Sequence, residues 1–307
     1  MKHVMASGHS NGRILEEMRA RGLEGSARVL AQGDSWFAFP LPVLGGPRNL
    51  VEAIETKRPA AAIDLAIVGD TAESMAGGDR FAQLRAILAG AGGEAAIPVA
   101  AILLSAGGND LIDRIGELVG NVTREVKREL GTRPGAASQA VQREAHRRVL
   151  AEVTTGEATR IYDDVVAHLR TLVAARDGGP SAAAPVILHG YAHVTPRDAP
   201  ALRFPIPVGP WIWKKLRPLG YSQAQQQEIA ALVIDEFNRR LAALRDEALG
   251  VHVLDLRALQ APGGPLPIAH PSWLEPTPYW HDEIHLNSRG WSCVASSLFD
   301  PLLDRFC

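Results

Sequence analysis

The 307-residue chain carries 32 Lys and Arg against 34 Asp and Glu, a formal charge of −2, with 46% hydrophobic and 21% charged residues. That balance excludes a dedicated nucleic-acid binder built on phosphate neutralisation, and the hydrophobic share excludes a disordered chain. With only 2 cysteines, a disulfide scaffold and a four-cysteine zinc site are also excluded.

The first 25 residues place Arg13, Glu16, Glu17, Arg19 and Arg21 where a secretory apolar region would have to lie. No signal peptide is expected, so the expected address is the cytoplasm, with Cys293 and Cys307 as ordinary reduced thiols. No stretch is apolar for long enough to predict stable membrane insertion. Five short apolar runs then follow, each closing on polar or small residues except the last. They are 27–31 before Gly33–Asp34–Ser35, 63–68 before Gly69–Asp70, 99–104 before Gly107–Gly108–Asn109–Asp110, 186–188 before His189–Gly190–Tyr191, and 251–256. Runs with so little polar alternation predict strands buried on both faces.

Helical patterns lie between the runs. Short helices are expected at 49–56 and 80–88, and a long helical insert between about Leu111 and Ala184 carries segments 121–130, 137–153 and 158–175. An amphipathic helix is predicted over 222–248 from Ile229, Leu232, Val233, Phe237, Leu241 and Leu244, with Ser222 as its cap. The stretch 288–303 is also expected to be helical. Strands alternating with helices predict a parallel sheet covered on both faces, in one domain spanning 1–307, with ligands beyond the carboxyl ends of the strands. The segment 199–221 is different: Pro200, Pro205, Pro207, Pro210 and Pro218 forbid regular structure, and Phe204, Trp211, Ile212 and Trp213 need something to cover. It reads either as a loop packed on the core or as a lid-like wall over a pocket.

The residues at these strand ends suit acyl transfer. Ser35 is a candidate nucleophile, which needs a base to take its proton; His285 is the candidate base. Asp282 lies three residues before His285, a spacing that lets its carboxylate meet one ring nitrogen and leaves the other for Ser35. Candidate oxyanion donors are the backbone N–H of Ser35 at a strand-to-helix turn, the backbone N–H of Gly69, and the side-chain amide of Asn109. Gly33, Gly69, Gly107 and Gly108 are expected where backbone approaches the oxyanion. Asp34 and Asp110 are read as orienting local backbone.

Four blocks, Gly33–Asp34–Ser35, Gly69, Gly107–Gly108–Asn109–Asp110 and Asp282–Glu283–Ile284–His285, resemble those of the SGNH, or GDSL, hydrolases in kind and in order. The resemblance spans nearly the whole chain. It implies a three-layer α/β/α flavodoxin-like sandwich with a five-stranded parallel sheet in order 2-1-3-4-5. It also implies a cofactor-free serine hydrolase of carboxylic esters, with Ser35 as nucleophile, His285 as base, Asp282 as its partner, and Gly69 and Asn109 as oxyanion donors. The sequence departs from the family pattern in the aromatic run Trp36–Phe37–Ala38–Phe39–Pro40, in Leu286–Asn287 after His285, and in the length of the insert. These departures bear on substrate. Trp36, Phe37, Phe39, Trp211 and Trp213 are the expected apolar substrate wall, favouring acyl or aryl, lipid-like esters.

Other readings compete. The same triad would serve a carbohydrate acetylesterase or a thioesterase. His281 and His285 at i, i+4 invite a metal-dependent hydrolase, with His189 and His193 as possible further ligands, although Asp282 stands where the zinc-protease motif has Glu. Otherwise, His189 and His193 read as a polar pocket rim or satisfied surface. A non-catalytic lipid- or glycan-binding module is the reading from another class. Gly90–Ala91–Gly92–Gly93 precedes a strand and is no dinucleotide fingerprint, and Phe37 breaks the G-x-S-x-G elbow. Lys214–Lys215–Leu216–Arg217 reads as a solvated basic face.

Overall fold

The computed structural model describes residues 1–39, 46–131, 136–202, 208–272 and 278–307. Pro40, Phe204, Pro205 and Pro207, singled out above, lie outside the described residues. Six strands form one parallel sheet: β1 (Lys2–Met5), β2 (Ala27–Gly33), β3 (Ala60–Asp64), β4 (Ala101–Ser105), β5 (Val186–His189) and β6 (Val251–Leu254), in the order β1-β3-β2-β4-β5-β6. Every residue of β3 and β4 is buried. Since successive side chains point to opposite faces, both faces of the sheet must be covered.

The five expected strands are present in the expected order, and the correction is a sixth, β1, paired outside β3. Only Val4 of β1 is fully buried, so this short edge strand lacks the continuous apolar run that marks the others. The second strand also starts and ends earlier than its apolar run: β3 stops at Asp64, and Ile67 and Val68 are exposed beyond it.

The helices are α1 (Asn11–Ala20), α2 (Ser35–Ala38), α3 (Leu50–Ala53), α4 (Ala72–Met75), α5 (Gly78–Ala89), α6 (Gly108–Asp110) and α7 (Gly116–Leu130), with the turn Leu111–Ile115 joining the last two. Then come α8 (Ala136–Thr154), α9 (Ala158–Ala174), α10 (Trp213–Leu216), α11 (Gln223–Ala242), α12 (Ser288–Val294) and α13 (Asp300–Leu303). Ser222 caps α11 in a reciprocal box with Gln225. That helix ends at Ala242, six residues short of the expected 248, because Asp246 and Val251 exchange backbone hydrogen bonds of 3.0 and 2.7 Å that turn the chain into β6. One apolar cluster runs from the sheet into the flanking helices, and a small satellite of Val126, Val141 and Ala145 joins α7 to α8.

The chain winds from β2 to β3 on one side and reaches β4 on the other, so the crevice between the carboxyl ends of β2 and β4 is the switch point of the sheet. Ser35 leaves β2 there, and Asn109 follows β4. No described helix is long and apolar enough to cross a membrane.

Candidate active site

Three side chains from distant parts of the sequence meet at this crevice. Ser35 Oγ lies 2.8 Å from His285 Nε2, and His285 Nδ1 lies 2.8 Å from Asp282 Oδ2. The partners assign the tautomer: Nδ1–H donates to the carboxylate and Nε2 accepts from the serine hydroxyl. The other oxygen of Asp282 accepts the backbone N–H groups of Ile284 and His285, both at 2.8 Å. The tight turn that joins acid to base is thus built by the acid itself. Asp282 and His285 are 0% and 2% exposed, while Ser35 keeps 7%, so the hydroxyl is the reachable end of the relay. The His285 ring is stacked on Phe39 at 4.2 Å and meets the edge of Trp211 at 5.0 Å between centroids.

Ser35 opens α2, and Asp34 is its N-cap. The Asp34 carboxylate is fully enclosed: Oδ1 accepts Trp36 N–H at 3.0 Å and Ser105 Oγ–H at 2.8 Å, and Oδ2 accepts the Tyr191 hydroxyl at 2.8 Å. Burial pushes its pKa up, against these hydrogen bonds, which favour the charged form. Asp34 therefore ties the nucleophile turn to β4 and to the segment after β5, a wider role than local backbone orientation. Asp110 likewise reaches beyond its own turn and accepts the Ala72 N–H at 2.9 Å.

Among the described residues, neither Ser35 N–H nor Gly69 N–H has a protein acceptor. Asn109 donates one amide hydrogen to Asp70 O at 2.8 Å, which leaves the second without a described acceptor and ties the side chain to the Gly69 loop. Arg80 braces that loop through Asp70, at 2.8 Å, and through Leu65 O. Gly69 adopts φ +87° with open space around it. The other glycines serve packing instead. A Cβ on Gly33 would lie 2.8 Å from both Phe37 and Ser105, one on Gly107 2.6 Å from Phe237, and one on Gly108 3.0 Å from Tyr191. Gly108 also lines the cleft beside Ser35 and Asn109.

A half-open cleft adjoins Ser35, Asn109 and Trp36, with about 810 Å³ of space between its walls, part of it open to solvent. Its walls are aliphatic. Leu111, Ile112, Ile115 and Val119 come from the start of the helical insert, and Ile229, Val233 and Ile234 from α11. Ile212, Leu216 and Ile284 extend it, Tyr191 and Asp34 line it near Ser35, and Lys215 lies in its lining, paired with Asp113 at 2.7 Å. Of the five expected aromatic wall residues, Trp36 alone lines this cavity. Phe37 is fully buried against His189, Phe39 and Trp211 pack on His285, and Trp213 starts α10. In the basic cluster Lys214 and Arg217 are exposed, but Leu216 is core and Lys215 faces the cavity.

The histidines proposed as metal ligands do not converge. Both nitrogens of His285 are engaged by the triad, and His281 Nε2 lies 3.2 Å from Ala201 O. His193 pairs with Asp235 at 2.8 Å. His189 is wholly buried beside Trp36 and Phe37, not on a rim; its Nδ1 lies 2.9 Å from Gly190 O, and burial pushes its pKa down to about 4. Among the described residues no group of three His, Cys, Asp or Glu side chains could hold a metal ion.

Sequence reasoning passed over Tyr191, Arg80, Arg197 and Glu283. Tyr191 and Glu283 stood inside quoted blocks, beside residues with more obvious chemistry. Arg197 donates to Asp282 O at 2.7 Å while only 3% exposed. The charged pair Arg197–Asp198 between Pro196 and Pro200 was the available signal.

No protein-family model matches the chain, and no curated protein matches it. Among solved structures it is similar to a mutant of Axe2, an acetyl-xylooligosaccharide esterase from Geobacillus stearmophilus, at 14% identity over 89% of this chain and 92% of that one, TM-score 0.43. It is similar to a putative arylesterase from Agrobacterium tumefaciens at 18% identity over 91% and 99%, TM-score 0.38. The esterase AlinE4, of the SGNH-hydrolase family, aligns at 16% identity over 92% and 97%, TM-score 0.28. Overlaps this loose fix no activity. The four sequence blocks, the parallel sheet and the meeting of Ser35, His285 and Asp282 are what resemble the SGNH hydrolases.

Proposed function

We propose that the chain is an SGNH-type serine hydrolase that cleaves carboxylic esters with an apolar, aliphatic acyl group. One observation carries the reading: the unbroken relay from Ser35 Oγ through His285 to Asp282, with 2.8 Å at each link, at the mouth of an aliphatic cavity.

In this reading Ser35 Oγ attacks the ester carbonyl while His285 Nε2 takes its proton, and the imidazolium is supported by Asp282. The oxyanion forms against Ser35 N–H, Gly69 N–H and the second amide hydrogen of Asn109. Collapse breaks the C–O bond, and His285 returns the proton to the leaving alcohol. Water, deprotonated by His285, then attacks the acyl-serine; the acid departs and Ser35 regains its proton. The acyl chain lies along the aliphatic walls, where removal from water favours it by about 0.8 kcal/mol per buried methylene. That favours an acyl ester over a small acetylated sugar.

A fluorophosphonate probe and p-nitrophenyl acetate test the reading. Wild type is expected to label and turn over, and Ser35→Ala to do neither. Absence of both in wild type overturns it. Activity lost to a chelator points to the metal hydrolase instead, and a preference for acetylated xylan over longer acyl esters overturns the apolar acyl group.

A further inference from the structure

The block 282–285 sends its four side chains to different tasks. Asp282 and His285 form the relay, Ile284 lines the cavity, and Glu283 turns away into the proline-rich segment. Glu283 is 0% exposed, and although the Arg197 guanidinium is near enough to feel its charge, no cation bonds to its carboxylate oxygens among the described residues. Backbone amides surround it instead. Oε2 accepts Trp211 N–H at 2.6 Å and Ile212 N–H at 2.8 Å; Oε1 accepts Trp213 N–H at 2.7 Å and Arg197 N–H at 3.3 Å. Its own N–H donates to Ala199 O at 3.1 Å.

Each oxygen thus accepts two N–H groups, the full acceptor capacity of a carboxylate. A neutral amide in its place would turn an NH2 group against two N–H donors. The residues so held matter for the site: Ile212 is a wall of the acyl cavity, and Trp211 packs its ring against His285. A buried charge is costly even when well hydrogen-bonded, and an apolar side chain would fill the same space more cheaply. What the carboxylate supplies, and an apolar residue would not, is a fixed position for three consecutive backbone amides.

We propose that Glu283 is a specificity-determining positioning residue, which holds Ile212 in the wall of the acyl cavity and so sets how well longer aliphatic acyl chains are accepted relative to acetyl. The inference rests on the reading of this site as an esterase for apolar acyl groups. It makes the segment 211–213 a fastened wall, tied from beneath by the same turn that carries the base.

The test, run well above pH 7 so that the Glu283 carboxylate is charged, compares wild type, Glu283→Gln and Glu283→Asp with p-nitrophenyl acetate and p-nitrophenyl octanoate, together with calorimetric binding of octanoate. For Glu283→Gln, kcat/KM for octanoate relative to acetate is expected to fall about tenfold or more, within the range that hydrophobic-pocket contacts command, with the loss in KM. Octanoate binding weakens in parallel, and Glu283→Asp, which keeps the charge, lies between. Equal slowing of both esters with unchanged octanoate binding overturns the proposal, as does wild type that binds no octanoate. If Glu283→Gln shows no cooperative melt, Glu283→Asp decides on the same readouts. If wild type takes no fluorophosphonate and cleaves neither ester, the esterase reading fails, and octanoate binding to the variants still tests the wall.

Discussion

The Tyr191 hydroxyl donates to Asp34 Oδ2 at 2.8 Å and accepts Gly108 N–H at 2.9 Å, so one phenol joins the nucleophile turn to the Asn109 turn. Asp34 and Tyr191 are buried and Gly108 is half-buried, an environment where an unpaired partner is costly. Tyr191→Phe is therefore expected to leave two polar groups unsatisfied and to lose about 1–3 kcal/mol of stability. Denaturant unfolding measures the loss, and a change within error would mean that water replaces the hydroxyl.

Asn109 does two things in the proposed reaction: one amide hydrogen anchors Asp70 O, and the other is offered to the oxyanion. Asn109→Ala is expected to lower kcat by about 10²–10³, the cost of one oxyanion donor, with little change in KM. Stopped-flow or steady-state hydrolysis of p-nitrophenyl acetate reads this directly. A rise in KM at constant kcat would move Asn109 from the transition state to ground-state binding.

Two glycines with positive φ are expected to respond differently to alanine. Gly107, at φ +108°, would place a Cβ 2.6 Å from Phe237, so Gly107→Ala carries both backbone strain and overpacking, about 2–4 kcal/mol together. Gly69, at φ +87°, has nothing within 4 Å, so Gly69→Ala carries strain alone, about 1–2 kcal/mol. Melting temperatures should rank wild type, Gly69→Ala and Gly107→Ala in falling order.

Burial pushes the Glu283 pKa up from 4.5 to about 7, against its four backbone donors. Between those two values the folded chain holds a proton that the unfolded chain has released, so this group's contribution to stability falls as pH rises through the window. His189 acts with the opposite sign. Its pKa is pushed down from 6.5 to about 4, so its contribution is present above pH 6.5 and is lost as pH falls toward 4. Unfolding free energies across this range should show Glu283→Gln losing the first slope and keeping the second. An unchanged profile in that variant would count against the buried carboxylate as the cause.

The sequence by itself determined the parallel sheet, the approximate positions of five of its six strands, and the three residues of the relay. These features are local: a buried strand is a continuous apolar run, and each chemical residue stands at the end of one or in a short block. The tertiary structure alone decided what surrounds them. Edge strand β1, with only Val4 fully buried, offers no such run. The aliphatic character of the cavity depends on which faces of the insert and of α11 turn inward once packed, and the nearer aromatics Phe37 and Phe39 were used for core and for His285 instead. The bonds of Glu283 span 70 to 72 residues to Trp211–Trp213 and 86 to Arg197. No spacing rule reaches across such distances, because the contact exists only after the sheet has brought the two segments to the same end.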